Sequence, residues 1–313
     1  MNQPIIEVNN LIKRYRKGEK NAVDGISFSV QEGEFFALLG PNGAGKTTTV
    51  SILTTSLAKT IGAVTIAGYD LDREPQEVRR HIGVIFQSPS LDLNLTAEEN
   101  IRFHVMLYHI YPFNPIYRFM PEQYKKRVEE LASILDLGNA IFHPVKTFSG
   151  GMKRKLEIIR SLMHHPRVLF LDEPTIGLDP LTRKNLWEYL HQMREKERIT
   201  IFLTTHYLEE AEGADNVCII LRGKIITLGT PYEIKHRLTD AYILLDADNR
   251  DLLIHELQTR SLPYTGSPPR IPLNGKKVQE IIKMLDTPLT TIRVHNPTLE
   301  EAYLAIIAAH EGT

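Results

Sequence analysis

Phe35-Phe36-Ala37-Leu38-Leu39-Gly40-Pro41-Asn42-Gly43-Ala44-Gly45-Lys46-Thr47-Thr48 is the stretch that decides how the chain folds. Its first five residues are apolar without alternation, which suits a strand buried on both faces of a parallel sheet. They run into the pattern G-x-x-x-x-G-K-[ST] at Gly40–Thr47, and Thr48–Leu57 can form a helix. Strand, glycine loop and helix in that order is the context this pattern requires. Gly40, Gly43 and Gly45 let the backbone wrap a phosphate, with Pro41, Asn42 and Ala44 completing the loop. Successive N–H groups then point inward at a helix N-terminus. Lys46 would neutralise the outer phosphates, and the Thr47 hydroxyl would ligate Mg²⁺.

A second element lies far along the chain. Val168-Leu169-Phe170-Leu171 runs into Asp172-Glu173, two carboxylates at a strand's C-terminal end, where open α/β sheets bind ligands. Asp172 would hold Mg²⁺ through water, and Glu173 could act as general base or as orienter of an attacking water. Together the two elements imply a nucleoside triphosphate without naming the enzyme. A third element, Ser149-Gly150-Gly151, opens an amphipathic helix with Met152, Leu156, Ile159 and Met163 on one face. It reads either as a capped helix start or as a second anion nest. One triphosphate has no need of two cradles, but two chains packed head to tail would use both.

Around these elements, short β-rich runs alternate with helical patterns, so the class is α/β. Expected strands are Ile5–Val8, Phe35–Leu39, Val64–Ile66, Ile82–Phe86, Val168–Leu171, Ile199–Thr204, Val217–Leu221 and Ile225–Leu228. The strand signal disappears from about Gln87 to Phe148. There, Thr96-x-x-Glu99 is a capping box that opens a helix over about 97–109, and Pro121 starts another to about Leu135. The connection Ile110–Met120 gathers Tyr111, Phe113, Tyr117 and Phe119, which reads as local packing and also suits a partner contact. Gly229-Thr230-Pro231 punctuates the chain, and a helix near Tyr232–Arg237 is expected to close the first domain. Beyond about 240 the pattern predicts a second α/β unit. Its strands are Tyr242–Leu245 and Thr291–His295, and its helices Asp251–Arg260, Lys276–Leu285 and Thr298–Ala309. The proline-rich stretch Leu262–Pro272 reads as irregular.

Composition narrows the classes. With 42% hydrophobic and 24% charged residues the 313-residue chain has ordinary globular usage, which excludes a disordered or collagen-like chain. The net charge of −1 argues against a generic nucleic-acid binder. The single cysteine, Cys218, allows no internal disulfide and reads as a buried small hydrophobe in Val217–Leu221. No run is apolar for the roughly 18–20 residues needed to cross a bilayer, and the N-terminus lacks a secretory pattern. The expectation is a cytoplasmic chain, with any membrane-spanning helices supplied by another polypeptide.

The combination resembles the nucleotide-binding subunit of ATP-binding-cassette (ABC) transporters over about residues 5–238. Five matches carry the resemblance in the family's order: Gly40–Thr48, Gln87 after a strand, Ser149–Lys155, Leu169–Pro180 and Thr204-Thr205-His206. It implies an ABC cassette with a mixed sheet core, an N-terminal antiparallel β part, a helical subdomain at about 88–150, and a small α/β C-terminal domain at 239–313. It further implies that Tyr15 stacks on adenine and that Gln87 touches Mg²⁺ and the lytic water. Asp179 would cross a dimer interface, and His206 would contact the γ-phosphate and Glu173. Met152 replaces the usual glutamine of the signature and Phe148 the usual leucine. A thioether cannot donate that glutamine's hydrogen bonds, so Ser149, Gly150 and Gly151 should carry phosphate contact. Met152, with the ending Pro297–Leu304, looks like the ABC-2 branch that serves drug, lipid and polysaccharide exporters.

The resemblance therefore implies an ATPase that takes ATP and Mg²⁺. It would pair with a second ATP-binding subunit, most simply a second copy, and power a separate membrane permease from the inner face of the cell membrane. A soluble cassette acting on ribosomes or DNA is the alternative, though such relatives carry two cassettes or a long coiled coil. A GTPase or small-molecule kinase explains neither Ser149–Gly151 nor His206, and no Asn-Lys-x-Asp guanine-reading sequence is present.

Overall fold

The computed structural model describes residues 3–16, 20–87, 90–108, 110–112, 114–238, 241–273 and 277–311. Phe113 of the aromatic connection lies outside them. The chain divides into two compact units, 1–228 and 229–313.

The first unit holds two sheets. Strands β1 (Ile6–Arg14), β2 (Asn21–Val30), β4 (Ile61–Ile66) and β5 (Tyr69–Asp70) form an antiparallel sheet in the order β2-β1-β4-β5. The sequence reading missed β2, although Val23, Ile26, Phe28 and Val30 are its buried positions. Gly25, at φ +71°, breaks the alternation there, and the β1–β2 register slips near Leu11. The break hides a period that the last five residues otherwise show plainly.

The second sheet runs β10 (Lys224–Gly229), β9 (Asn216–Leu221), β3 (Phe35–Leu39), β8 (Thr200–Thr205), β7 (Val168–Asp172), β6 (Ile82–Ile85). Strands β9, β3, β8, β7 and β6 are all parallel. Every residue of β3, β7 and β8 is buried, as strands covered on both faces require. The parallel registers set the C-terminal ends of β3, β7 and β8 side by side: Leu39 pairs with Thr205, and Asp172 with Thr204. The rings of Phe28, Phe36, Phe202 and Phe170 stack in series between the two sheets, with centroids 5.2–6.0 Å apart. Cys218 is fully buried on β9, and burial pushes its thiol up to about 12.

Helices α1 (Lys46–Leu53) and α2 (Pro75–His81) belong to this core. Helices α3 (Ala97–Leu107), α4 (Glu122–Ile134) and α5 (Gly150–Leu162) make the helical insert. Thr96 caps α3 in a full capping box with Glu99. Tyr124 of α4, fully buried, donates to Glu98 of α3 at 2.8 Å, and Arg102 pairs with the same carboxylate at 3.0 Å. Tyr111 and Tyr117 pack edge-on against Tyr124, whereas Phe119 of the same connection stays 65% exposed. Helix α6 (Pro180–Glu197) follows β7, and the short α7 (Leu208–Ala211) follows β8.

In the second unit β12 (Arg270–Pro272), β11 (Tyr242–Asp246) and β13 (Thr291–His295) form an antiparallel sheet. Ile243 and Leu245 bury against Leu253 and Leu257 of α9 (Arg250–Thr259) and Ile281 of α10 (Val278–Lys283). The stretch expected to be irregular thus contains the short strand β12. Helix α8 (Pro231–Leu238) packs with α11 (Leu299–Glu311), so the compact division falls at Leu228/Gly229 rather than after α8. Among the described residues no helix is long and apolar enough to cross a membrane.

Candidate functional site: a phosphate loop facing a Gln–Glu–His cluster

The loop after β3 is built by close backbone approach. A Cβ on Gly40 would lie 2.3 Å from the Ile220 carbonyl oxygen, and one on Gly45, at φ +111°, 2.6 Å from that of Ala22. Only glycine fits either position. Gly43, at φ +77°, has nothing within 4 Å of its missing Cβ and faces open space. Lys46 begins α1 and is 6% exposed. Its ammonium donates to the carbonyls of Gly40 at 2.6 Å and Pro41 at 3.2 Å. Burial lowers the Lys46 pKa, against the pull of Glu173 and Asp172.

Asn42–Thr48, Ala22, Gln87 and Glu173 line one cleft of about 190 Å³. Three strand ends converge there. Glu173 follows β7, and its backbone N–H donates to Thr204 of β8. Its φ of +48° is unusual for a non-glycine residue. Gln87, after β6, donates from Nε2 to Glu173 Oε2 at 3.2 Å. His206, after β8, places Nδ1 3.3 Å from Glu173 Oε1. One carboxylate therefore meets both the Gln87 amide and the His206 imidazole. Asp172, only 4% exposed, accepts from the Thr204 hydroxyl, and burial raises its pKa. Tyr15, just after β1, is half exposed, with its hydroxyl 3.3 Å from Thr48 Oγ1 and the Lys13 ammonium over its ring at 5.4 Å from the centroid.

The remaining expected residues lie outside this cleft. Ser149 caps α5, accepting from Met152 N at 3.2 Å. Ser149 and Gly150 are exposed, and a Cβ on Gly151 would touch Thr182 Cγ2 at 3.1 Å. Asp179 caps α6 and accepts from the Thr182 N–H at 3.0 Å and its hydroxyl at 2.5 Å, which lowers the Asp179 pKa. Ser149–Gly151, Thr182 and Asp179 thus form a second, solvent-facing group.

Two residues at the site escaped the sequence reading. Glu210 of α7, 8% exposed, accepts from the hydroxyls of Thr175 and Thr205. Thr175 lies two residues past Glu173, and Thr205 precedes His206. Arg154 of α5 donates to the carbonyls of Phe86 and Pro174. Their only sequence signal is a charge in a segment that also carries a motif.

Thr47 is exposed beside the loop and Asp172 ends β7. An exposed hydroxyl, a buried carboxylate and an amide oxygen are hard oxygen donors of the kind Mg²⁺ takes, with water completing its shell.

A family model described as ABC transporter matches residues 23–176. Over 249 residues, 79% of this chain and 72% of the relative, the chain is 41% identical to the doxorubicin resistance ATP-binding protein DrrA of Mycobacterium tuberculosis. It is 34% identical to the daunorubicin resistance ATP-binding protein DrrA3 of Streptomyces coeruleorubidus over 91% of this chain, a match that must include part of the second unit. It is 37% identical to the probable multidrug ABC transporter ATP-binding protein YbhF of Escherichia coli, but spans only 38% of that protein's length. Among solved structures, an ATP-binding subunit of an ABC transporter superposes with a TM-score of 0.65 at 31% identity, covering 74% of this chain and 92% of that one. A dimeric ATP-binding cassette in a post-hydrolysis state, bound to ADP and Pi, superposes with a TM-score of 0.64 at 26% identity, covering 72% and 98%. With the loop, the Gln87–Glu173–His206 cluster and the Ser149 helix all in place, the chain belongs to the ABC transporter family as one of its ATP-binding cassettes.

Proposed function

We propose that the chain is the ATP-hydrolysing subunit of an exporter, working as a pair at the inner face of the cell membrane on a separate permease. The carrying observation is that the loop, Gln87 and Glu173 share one cleft while Ser149–Gly151 opens to solvent elsewhere. A second chain, packed head to tail, would bring its Ser149 helix over this chain's nucleotide. Each ATP would then lie between Gly40–Thr48 of one chain and Ser149–Gly151 of the other, with Asp179 at the junction and Tyr15 against adenine. Similarity to a dimeric cassette supports this reading.

Lys46 and the loop N–H groups hold the phosphates. Glu173 accepts a proton from the attacking water or orients it, while Gln87 and His206 fix its carboxylate. The water oxygen bonds to the γ-phosphorus as the bond to the ADP oxygen breaks, and phosphate leaves. Mg²⁺, when bound, would be held by Thr47, Asp172 and Gln87 and would offset phosphate charge. Loss of the bridging γ-phosphate reopens the pair, limited by the difference in ATP affinity between its closed and open states.

The permease's cytoplasmic helix would dock in the cleft of about 460 Å³ between the core and the helical insert, lined by Phe86, Arg79, Leu107, Tyr108 and Arg160. The first unit, extended to about residue 238, would be the cassette, and the remainder an accessory domain. Drugs, lipids and polysaccharides are the cargo classes that the relatives suggest. The experiment is Glu173→Gln, which should bind ATP, trap a closed dimer in light scattering and turn over little. Turnover at the parent rate would reject Glu173 as the base.

A further inference from the structure

Arg154 sits five positions after Ser149 on α5 and is 6% exposed. Its Nε donates to the Pro174 carbonyl at 2.7 Å. Its Nη1 donates to the Phe86 carbonyl at 2.6 Å and to Glu157 Oε2 at 2.9 Å. Phe86 precedes Gln87, and Pro174 follows Glu173. One guanidinium therefore holds the backbone beside both members of the Gln87–Glu173 contact. The same helix grips the far side of the Gln87 loop. Glu157 Oε1 accepts from Ser90 N at 3.1 Å, and Arg160 donates to Ser90 O and Oγ, both at 2.7 Å.

Stability gives a weak reason for this arrangement. A buried guanidinium costs several kcal/mol of desolvation, and apolar residues of similar volume often serve as well. Among the described residues Arg154 Nη2 has no hydrogen-bond partner, which adds to that cost. What the fork supplies instead is fixed geometry across three segments, which lysine's point charge cannot reproduce.

We propose that Arg154 is a positioning residue that couples the two nucleotide sites of the dimer. It ties the helix whose start meets the partner's ATP to the Gln87–Glu173 pair of its own chain. A force on Ser149 moves α5 as a rigid rod, and Arg154 carries that movement to Phe86 and Pro174. Each site then reaches attack geometry only when the other nucleotide is seated. The inference rests on the sandwich reading above.

The test uses the full chain with Arg154→Lys, and the double variant Arg154→Met/Glu157→Gln, which removes the guanidinium and its paired carboxylate together. Both should keep single-chain ATP affinity within about twofold and, in the Glu173→Gln background, still form an ATP-driven dimer. Their kcat should fall at least about tenfold, since a misplacement near 1 Å costs on the order of 10²-fold. Combining Arg154→Lys with Ser149→Ala completes a cycle. If the two act in series, the combined loss of kcat stays within about twofold of the larger single loss. Parent kcat in both Arg154 variants, losses that multiply, or a loss that merely tracks ATP affinity would each overturn the proposal. If the chain unsubstituted at Arg154 shows no ATP-driven dimer in the Glu173→Gln background, the sandwich itself fails and the coupling with it.

Discussion

Glu210 offers a direct check on how the strand ends are held. Its two oxygens each accept one hydroxyl, from Thr175 and Thr205, both fully buried. Glu210→Gln keeps the shape but takes the charge from both bonds and leaves one hydroxyl facing an amide NH2 in place of an acceptor. A hydrogen bond to a charged group contributes about 1.5–3 kcal/mol. For a unit of this size 1 kcal/mol moves Tm by about 2–4 °C, so Glu210→Gln should melt roughly 3–12 °C lower. The same loss frees the segments that carry Glu173 and His206. With geometry relaxed by up to about 1 Å, kcat should fall about 10–100-fold. Glu210 does not line the cleft at Lys46, so ATP affinity should change by less than about twofold. Phosphate release against ATP concentration, calorimetric titration and a thermal melt measure the three quantities. A lowered Tm with parent kcat would show that the carboxylate only supports the fold, and an unchanged Tm that the two hydroxyls are not held by it.

Lys46→Ala removes a buried cation from the phosphate loop and should weaken ATP binding by about 2–5 kcal/mol, from roughly 30-fold to several thousand-fold, by calorimetry. Glu173→Gln should hold ATP and lower kcat by about 10²–10⁴-fold, the range for losing a general base; phosphate release measures it. Asp172→Asn bears on pH. Burial raises the Asp172 pKa above 3.8, so the fold prefers the neutral acid, and stability is lost as pH rises through the folded pKa. In nucleotide-free, chelator-treated protein, Asp172→Asn should therefore melt higher than the parent at pH 7. That gap should close as pH falls toward 4, and a gap that widens toward acid would contradict the assignment. Hydrolysis by Asp172→Asn should be lost at every pH.

The sequence read well where chemistry is local. Gly40–Thr47 shape their own loop, and the apolar runs of β3 and β7 state their burial on both faces. Asp172 and Glu173 were legible because they end such a run. What stayed hidden is contact across distance: Phe86 to Arg154 spans 68 positions, and Thr175 to Glu210 spans 35. A lone arginine in a motif-bearing helix, or a glutamate a few residues past a motif, carries no mark of which carbonyl or hydroxyl it will meet. Strand β2 was missed because Gly25 interrupts its alternation, and β12 because proline surrounds it. The compact division at Leu228 has no local mark, because α8 finds its packing partner some 60 residues later, in α11.

The backbone twist at Glu173 has a cost in the resting molecule. A left-handed φ on a side-chain-bearing residue stores roughly 1–3 kcal/mol. It is held there by its own N–H to Thr204. The Glu173 carboxylate is thus set in place before any nucleotide arrives, and a glycine at that place would relax the spring along with removing the charge. An alanine would take away the carboxylate yet keep the tension, so comparing the melting points of the two would weigh the stored energy by itself.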